Sequence, residues 1–540
     1  MTDMQRKKEE KTQMEARERI IHPIPPFYRP DSRILILGSF PSVKSRECGF
    51  FYGHKRNRFW KVLSSVLGSD EPVTVEEKKA FLAREHIALW DSLESCEIHA
   101  SSDSSIRKAR PNDLSVILEA ADIRQIFCNG EKAYSYYDRM IRPVTGRKAV
   151  RLPSTSPANA AWSADRLVRA WDAVREPLGV LPAECGQVLL SWYDRNRRIL
   201  PWREAPSAYH VWISEIMLQQ TRVEAVKKYY DRWIRRLPDP AALAAVEDEE
   251  LMKLWEGLGY YNRARNLKKA AISVMEDWGG ALPGDYENLK SLPGIGDYTA
   301  GAIASIAFGI RVPAVDGNAI RIVSRMLAEE REIDRESVKR EIRERIFRIM
   351  PKERPGDFNQ ALMDLGASVC LPGGRPLCES CPWESKCISA RRGSQDKYPV
   401  RKKKKERKKE DLTVFLIIIK NRVCLHKRPS TGLLADMWEF PNLAGNCPPD
   451  AAADYADKVL GLSDYRLESA GKGRHVFTHV EWQMRGYRIR ADHLPERVIR
   501  EKDLVLVTEE ELQSTYAVPS AFETFKKELL DKEPAGSGQT

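Results

Sequence analysis

Between about Glu184 and Ile388 the sequence carries no strand signal. Amphipathic helical stretches follow one another there, separated by turns at Pro238 to Pro240, Gly279 to Pro283, Pro293 to Gly296 and Pro351 to Gly356. A chain with an all-α middle of this length cannot be one sheet-centred fold, and strands return on both sides of it. On the N-terminal side RILILGSF, IRQIFCNG and KAVRLPSTSP are short β-rich runs that end in small or polar residues, and Pro111 to Asp122 reads as a connecting helix. That rhythm indicates a parallel α/β sheet with sites at the carboxyl ends of its strands. On the C-terminal side strand-like runs at Leu412 to Lys420, His475 to Val480 and Met484 to Arg490 indicate a small α+β domain. The length of 540 residues, at roughly 150 per domain, agrees with several folding units.

The composition is 42% hydrophobic and 31% charged, which supplies packed cores and excludes a mostly disordered chain. The longest apolar run, Val414 to Ile419, is far shorter than the roughly 20 residues that span a bilayer, so it reads as a buried strand. The N-terminus lacks the apolar core and small-residue cleavage site of a secretory signal. The expected location is therefore cytoplasmic, on the nucleoid if the source is bacterial, with no membrane partner. The charged leader 1–21 and the tail 532–540 are expected to be frayed. Of the net charge of +11, the run RKKKKERKK from Arg401 to Lys409 contributes +7, with eight bases and one acid. Such a run is a solvated linker or a polyanion-binding arm, and nucleic acid is the first partner it implies.

Four of the ten cysteines, Cys370, Cys378, Cys381 and Cys387, fall in one short segment, which points to metal ligation rather than disulfides. Soft thiolates at this density hold zinc or a 4Fe-4S cluster, and spacing alone does not separate them. The other six read as ordinary buried thiols. In LPGIGDYTAGAIASIAFG, Gly294 and Gly296 form a tight turn before a helix of small and apolar residues. The N–H groups at that helix start suit a DNA phosphate, although a plain helix cap has the same pattern.

PWR at Pro201 to Arg203, SEIMLQQT at Ser214 to Thr221, GLGYYNRARNL at Gly257 to Leu267, the hairpin, VDGN at Val315 to Asn318 and the four cysteines together resemble a MutY-type adenine DNA glycosylase. In that family the enzyme flips adenine out of a mispair with 8-oxoguanine and cleaves its glycosidic bond. Glu215 shares its helix with Val211, Trp212 and Leu218 at helical spacings, so its carboxyl sits on an apolar face where desolvation favours the neutral acid. The resemblance makes Glu215 the proton donor to adenine. Asp316 begins the helix GNAIRIVSR, where N-cap bonds are expected to keep it ionised. The resemblance gives it the task of stabilising the sugar cation, with Asn318 beside it. Related enzymes that also cut the strand carry a Lys where this chain has Tyr298, so base release without strand cleavage is implied. Trp202, Arg203, Gln219, Gly294 and Gly296 are expected to contact DNA or base, and Gln220 and Tyr260 to wedge into the duplex. The resemblance selects one structural 4Fe-4S cluster, although the first cysteine gap has seven residues where six are usual.

The C-terminal region resembles the family's Nudix-like recognition domain without the metal-binding signature. There Phe477, Thr478 and His479 match a Phe-Ser-His element that contacts 8-oxoguanine. The N-terminal segments GSFPSVKSRECGFFYGHKRNRFW, FCNG and LPSTSPANAAW resemble the uracil-DNA glycosylase superfamily, specifically its hypoxanthine branch. GSFPS lacks the Asp or Asn that typically guides water, so Asn57 is the expected catalytic carboxamide. Phe51 and Tyr52 are expected to stack on a flipped base, and Ser154 and Ser156 to press into the duplex.

The expected chain is multidomain: an α/β three-layer sandwich at 22–180, an all-α helix-hairpin-helix glycosylase with its iron-sulfur loop at 184–390, a basic linker at 391–411 and an α+β Nudix-like domain at 412–531. A monomer acting on double-stranded DNA with mismatched or damaged bases follows. An inactive N-terminal DNA-binding module, N-terminal uracil specificity, and a redox-sensing regulator are the competing readings.

Overall fold

The computed structural model describes residues 18–98, 103–373, 375–402 and 406–530. The expected leader up to residue 17, the terminal PAGSGQT segment and residues 403–405 of the basic run lie outside the described residues. The chain forms two compact units. One comprises Met1–Asn196, Asp316–Pro351 and Gln360–Arg401, and the other Arg197–Val315, Lys352–Asn359 and Lys402–Thr540. The helical stretch is thus divided between them, which a run of local helices permits because no sheet ladder ties it together.

In the first unit four parallel strands run in the order Ile87–Asp91, Ile34–Gly38, Gln125–Asn129, Ala149–Leu152. Every residue of Ile34–Gly38 is buried. Ile34 and Ile36 pack with Phe59, Leu63 and Trp171, whereas Leu35 and Leu37 pack with Leu114, Ile117 and Tyr137. Both faces are covered, which makes this the expected three-layer sandwich and explains the continuous apolar run. The strand Ile87–Asp91 was not among the anticipated runs. A second, antiparallel sheet was also unforeseen: Glu18–Ile21, Leu93–Ile98 and Arg107–Pro111. The expected frayed leader to residue 21 therefore ends in a paired strand. The connecting helix expected over Pro111 to Asp122 shrinks to Ser115–Leu118, because Pro111 closes a strand.

The N-terminal sandwich is joined within this unit to the helix Glu336–Ile349. Arg33 donates to Glu341 at 2.8 Å, and Arg348 donates to the buried Glu85 at 2.6 Å. Around Glu341, Arg331 also grips Glu329, and Arg345 touches both carboxylates.

In the second unit the helices from Ala208–Leu218 to Asp297–Phe308 enclose a core rich in Trp212, Trp233 and Trp255. Its C-terminal sheet runs Trp438–Glu439, Arg422–Lys427, Lys408–Ile419, Val480–Ala491, Tyr465–Val476. Val414 and Leu416 face one core and Phe415 and Ile417 the other. Its long strand begins at Lys408, inside the stretch expected to be a linker up to 411, and pairs in parallel with Val480–Ala491. Backbone pairing tolerates exposed Lys side chains there, so a charge run and a strand are compatible. The strand expected at His475 to Val480 is instead the corner of a hairpin: Tyr465–Val476 ends, Phe477 N–H bonds to Val480 O at 2.8 Å, and Val480–Ala491 returns. Among the described residues no helix is long and apolar enough to cross a membrane.

Candidate active sites

Ser207 caps the helix Ala208–Leu218 by accepting the N–H of His210, and Glu215 lies on its buried side at 5% exposure. The Tyr298 hydroxyl donates to Glu215 Oε2 at 2.5 Å. Tyr298 stands in the first turn of Asp297–Phe308, so the hairpin that would grip a phosphate also presents a group to the candidate acid. Gly294 has φ of 77°, and a Cβ there would lie 2.7 Å from Asn266 Cβ, so both conformation and space demand glycine. Gly296, the residue before the helix, has an extended backbone, and a side chain there would meet open space within the protein.

One turn beyond Glu215, Gln219 donates to Thr299 Oγ1 at 3.3 Å. Gln220 and Tyr260 adopt left-handed φ of 58° and 48°, which costs a non-glycine residue of order 1 kcal/mol or more. Arg263 holds both turns. Its guanidinium donates to the carbonyls of Ile216, Met217 and Gln219 on one side and of Leu258 and Gly259 on the other. Burial lowers its pKa to about 10. Tyr260 is half exposed and its hydroxyl lies 3.3 Å from Thr478 Oγ1. Gln219, Gln220, Tyr260, Phe477, Thr478 and His479 line one cleft of about 580 Å³. Trp202, expected at DNA, is instead a core residue at 5% exposure, edge-on to Tyr230. A large apolar ring next to a helix core gains more by burial than by exposure. Arg203 is half-buried and donates to Arg198 O.

In the first unit Asp316 caps the helix Gly317–Leu327, accepting from Ala319 N at 2.7 Å and from Asn318 Nδ2 at 2.6 Å. Burial pushes the Asp316 carboxyl above its ordinary value, and the bonds from Ala319 and Asn318 work against that rise, as expected of an N-cap. Asn318 in turn accepts from Arg321, which also donates to Cys370 O. Arg325 donates to Cys370 Sγ at 3.2 Å and to Leu371 O. The aspartate helix is thereby bonded to the cysteine loop.

Cys370, Cys378, Cys381 and Cys387 line a common small cavity with Ile322, Met326 and Trp383. Among the described residues no three metal-ligating side chains are gathered tightly enough to hold a single ion. Four free thiols around one small cavity, with Arg325 at Cys370 and Gln395 Nε2 3.4 Å from Cys378 Sγ, fit a thiolate-held metal centre whose sulfurs take hydrogen bonds.

In the N-terminal sandwich Asn57, Thr155 and Asn129 form one chain of bonds. Asn129 Nδ2 donates to Thr155 Oγ1 at 2.9 Å, and Thr155 Oγ1 donates to Asn57 Oδ1 at 2.9 Å. Asn57 Oδ1 also accepts Phe59 N–H, and its Nδ2 donates to no described residue. Arg58 fastens the loop that carries Ser154 and Ser156, donating to Ser156 O and Asn159 O. Tyr52, half-buried with φ of 50°, stacks on Phe59 at 3.9 Å. Phe51 departs from the base-stacking expectation: at 2% exposure it fills the core, where a ring next to Phe50 and His22 buries most surface.

Residues 213–347 match the HhH-GPD superfamily of base excision DNA repair proteins, 413–528 the NUDIX domain and 25–175 the uracil DNA glycosylase superfamily. Adenine DNA glycosylase of Mus musculus is 36% identical over 369 residues, 57% of this chain and 70% of that protein. The chain belongs to the adenine DNA glycosylase family. The family's protein from Buchnera aphidicola is 35% identical over 57% of this chain and 87% of its own length. The solved structure of a thermostable thymine-DNA glycosylase is 30% identical over 38% of this chain and 94% of that one, with a TM-score of 0.35. This family member therefore joins a uracil-DNA-glycosylase-like domain to an adenine DNA glycosylase with a NUDIX domain. Several polar residues of these sites escaped the sequence reading. Asn129 had a signal, as the polar end of the strand run IRQIFCNG. Arg58 and Arg263 had none, because an arginine that bonds carbonyls from distant turns looks like any surface arginine in sequence.

Proposed function

We propose that the protein is a two-headed base-excision repair enzyme, working as a monomer on double-stranded DNA. Its helical part hydrolyses the glycosidic bond of adenine mispaired with 8-oxoguanine or guanine, and its N-terminal domain releases hypoxanthine. The bond from Tyr298 to Glu215 carries the first reading. A buried carboxyl that takes a hydrogen bond on Oε2 is oriented to deliver its proton to a ring nitrogen of adenine. The C1′–N9 bond then breaks with its electron pair leaving on the base, and water adds at C1′. Asp316 serves as the anion for the cationic sugar, the role that the resemblance assigns to it. An amine is required for a Schiff base with the sugar, and a phenol at Tyr298 forms none, so the strand stays whole.

The cleft of Tyr260, Gln220 and Phe477 to His479 supports contact with the base opposite adenine, Thr478 keeping a hydroxyl for that purpose. Cys370, Cys378, Cys381 and Cys387 would hold a 4Fe-4S cluster, whose contribution is to cross-link the loop. Arg321 and Arg325 connect that loop to the aspartate helix. In the N-terminal domain the Asn57 amide, held by Thr155 and Phe59, is the group to position water or base.

Duplexes containing adenine opposite 8-oxoguanine, hypoxanthine or uracil test both heads. Wild-type protein is expected to release adenine and hypoxanthine, and Glu215→Gln to lose only adenine release while retaining duplex binding. Near-normal adenine excision by Glu215→Gln would overturn the assignment of the acid. Wild-type protein inert on hypoxanthine and uracil would make the N-terminal domain a binding module.

A further inference from the structure

Asp91 ends the strand Ile87–Asp91, directly opposite Gly38 in the parallel register. A Cβ on Gly38 would lie 2.1 Å from Asp91 Oδ1 and 3.2 Å from the Tyr52 hydroxyl. Only glycine at the head of GSFPS lets a carboxylate lie this close to the first strand. Asp91 Oδ2 is bonded to His22 Nε2 at 2.9 Å, and the two side chains are 7% and 3% exposed. Ile24 N–H donates to His22 Nδ1 at 3.2 Å, so Nδ1 is an acceptor and the proton on Nε2 points at Asp91. The rings of Phe40, Phe51 and Trp90 surround His22. Asp91 Oδ1 accepts no bond from any described residue and is not among the sealed polar atoms that lack one. An oriented carboxylate with one oxygen unspent, beside Tyr52 at the carboxyl edge of the sheet, is an acceptor awaiting a donor.

We propose that Asp91, positioned by His22, reads the base taken by the N-terminal domain by accepting a ring N–H. Hypoxanthine offers N1–H and uracil offers N3–H, whereas their parents adenine and cytosine present a bare ring nitrogen at the same place. Deamination converts that nitrogen from acceptor to donor, so a fixed carboxylate distinguishes the damaged base from its parent. Facing a second acceptor, Asp91 would be left buried and unpaired, which rejects adenine and cytosine. This inference rests on the N-terminal domain being a glycosylase.

The test compares single-turnover release of hypoxanthine, uracil and 1-methylhypoxanthine, which lacks the N1–H, by the full-length protein. Wild type is expected to release the bases that carry a ring N–H and to act on 1-methylhypoxanthine at least about 100-fold more slowly. The ratio of hypoxanthine to uracil release tells which N–H the site takes. Asp91→Asn is expected to lose about 100-fold or more on the ring N–H bases while excising adenine opposite 8-oxoguanine at the wild-type rate. His22→Ala should lose about tenfold, and His22→Gln, which keeps an N–H donor, should recover part of that loss. Equal release of hypoxanthine and 1-methylhypoxanthine by wild type, or an Asp91→Asn protein that folds and retains full hypoxanthine release, overturns the role of Asp91 and leaves the glycosylase reading standing. Wild type inert on every lesion removes both.

Discussion

Tyr298 donates its hydroxyl to Glu215 across 2.5 Å, so the residue standing where related strand-cutting enzymes have a lysine is in direct contact with the candidate acid. A hydrogen bond to a charged or proton-sharing carboxyl is worth about 1.5–3 kcal/mol. Tyr298→Phe is therefore expected to slow adenine release by about tenfold to 100-fold with duplex affinity retained, as read by single-turnover excision and gel shift. Unchanged excision would reduce the tyrosine to packing.

Asn57→Ala is expected to eliminate hypoxanthine release and leave adenine excision intact, because the Asn129, Thr155 and Asn57 chain lies wholly within the N-terminal sandwich. Thr155→Val, which cuts the same chain in its middle, should show a partial loss on the same substrate. Lesion-containing duplexes with the two variants side by side check this.

Arg263 ties the turn of Gln220 to the turn of Tyr260. Arg263→Ala removes a charged donor from five carbonyls, of which those of Met217 and Leu258 have no other donor among the described residues, at a cost of about 2 kcal/mol or more. A lower melting temperature is expected, together with weaker extrusion of adenine in a fluorescent-base assay. Arg263→Lys, which reaches fewer carbonyls, should fall between. A wild-type melting temperature and wild-type extrusion in Arg263→Ala would reject the clamp.

Purified protein should be coloured and contain about four irons per chain, by the four-thiolate rule. Cys381→Ala should lose iron and lower the melting temperature. Arg325→Met should keep iron but shift the visible spectrum, since it removes the donor at Cys370 Sγ. Stoichiometric zinc without iron would reject the cluster.

Acid should loosen the junction around Glu329. Desolvation alone would raise its pKa, but hydrogen bonds and charge from Arg331 and Arg345 hold it down at about 2. The folded pKa lies below the unfolded one, so the stabilisation is complete above about pH 4.5 and is lost as pH falls toward 2. The amount is about 3 kcal/mol from this carboxylate. Thermal melts between pH 7 and 3 should fall more steeply for wild type than for Glu329→Gln, which starts lower and has less left to lose.

Much of this protein is legible in its sequence. The run RILILG could only be a strand covered on both faces, because five consecutive apolar residues of mostly β-branched or Leu character leave no polar face for water. The hairpin turn required glycine at Gly294 through local sterics, and the helix that carries Glu215 was readable from spacing. These features depend on interactions within a few residues, which sequence order records directly. Strand neighbours, burial depth and the partners of polar groups depend on which distant segments pack together. Asp91 opposite Gly38, Thr478 at Tyr260, the carbonyls around Arg263 and the rise of the Asp316 pKa all come from such packing. Trp202 and Phe51 illustrate the same division: sequence marked both as large rings near candidate sites, and only the tertiary fold decided that burying them in a core gains more than exposing them to DNA.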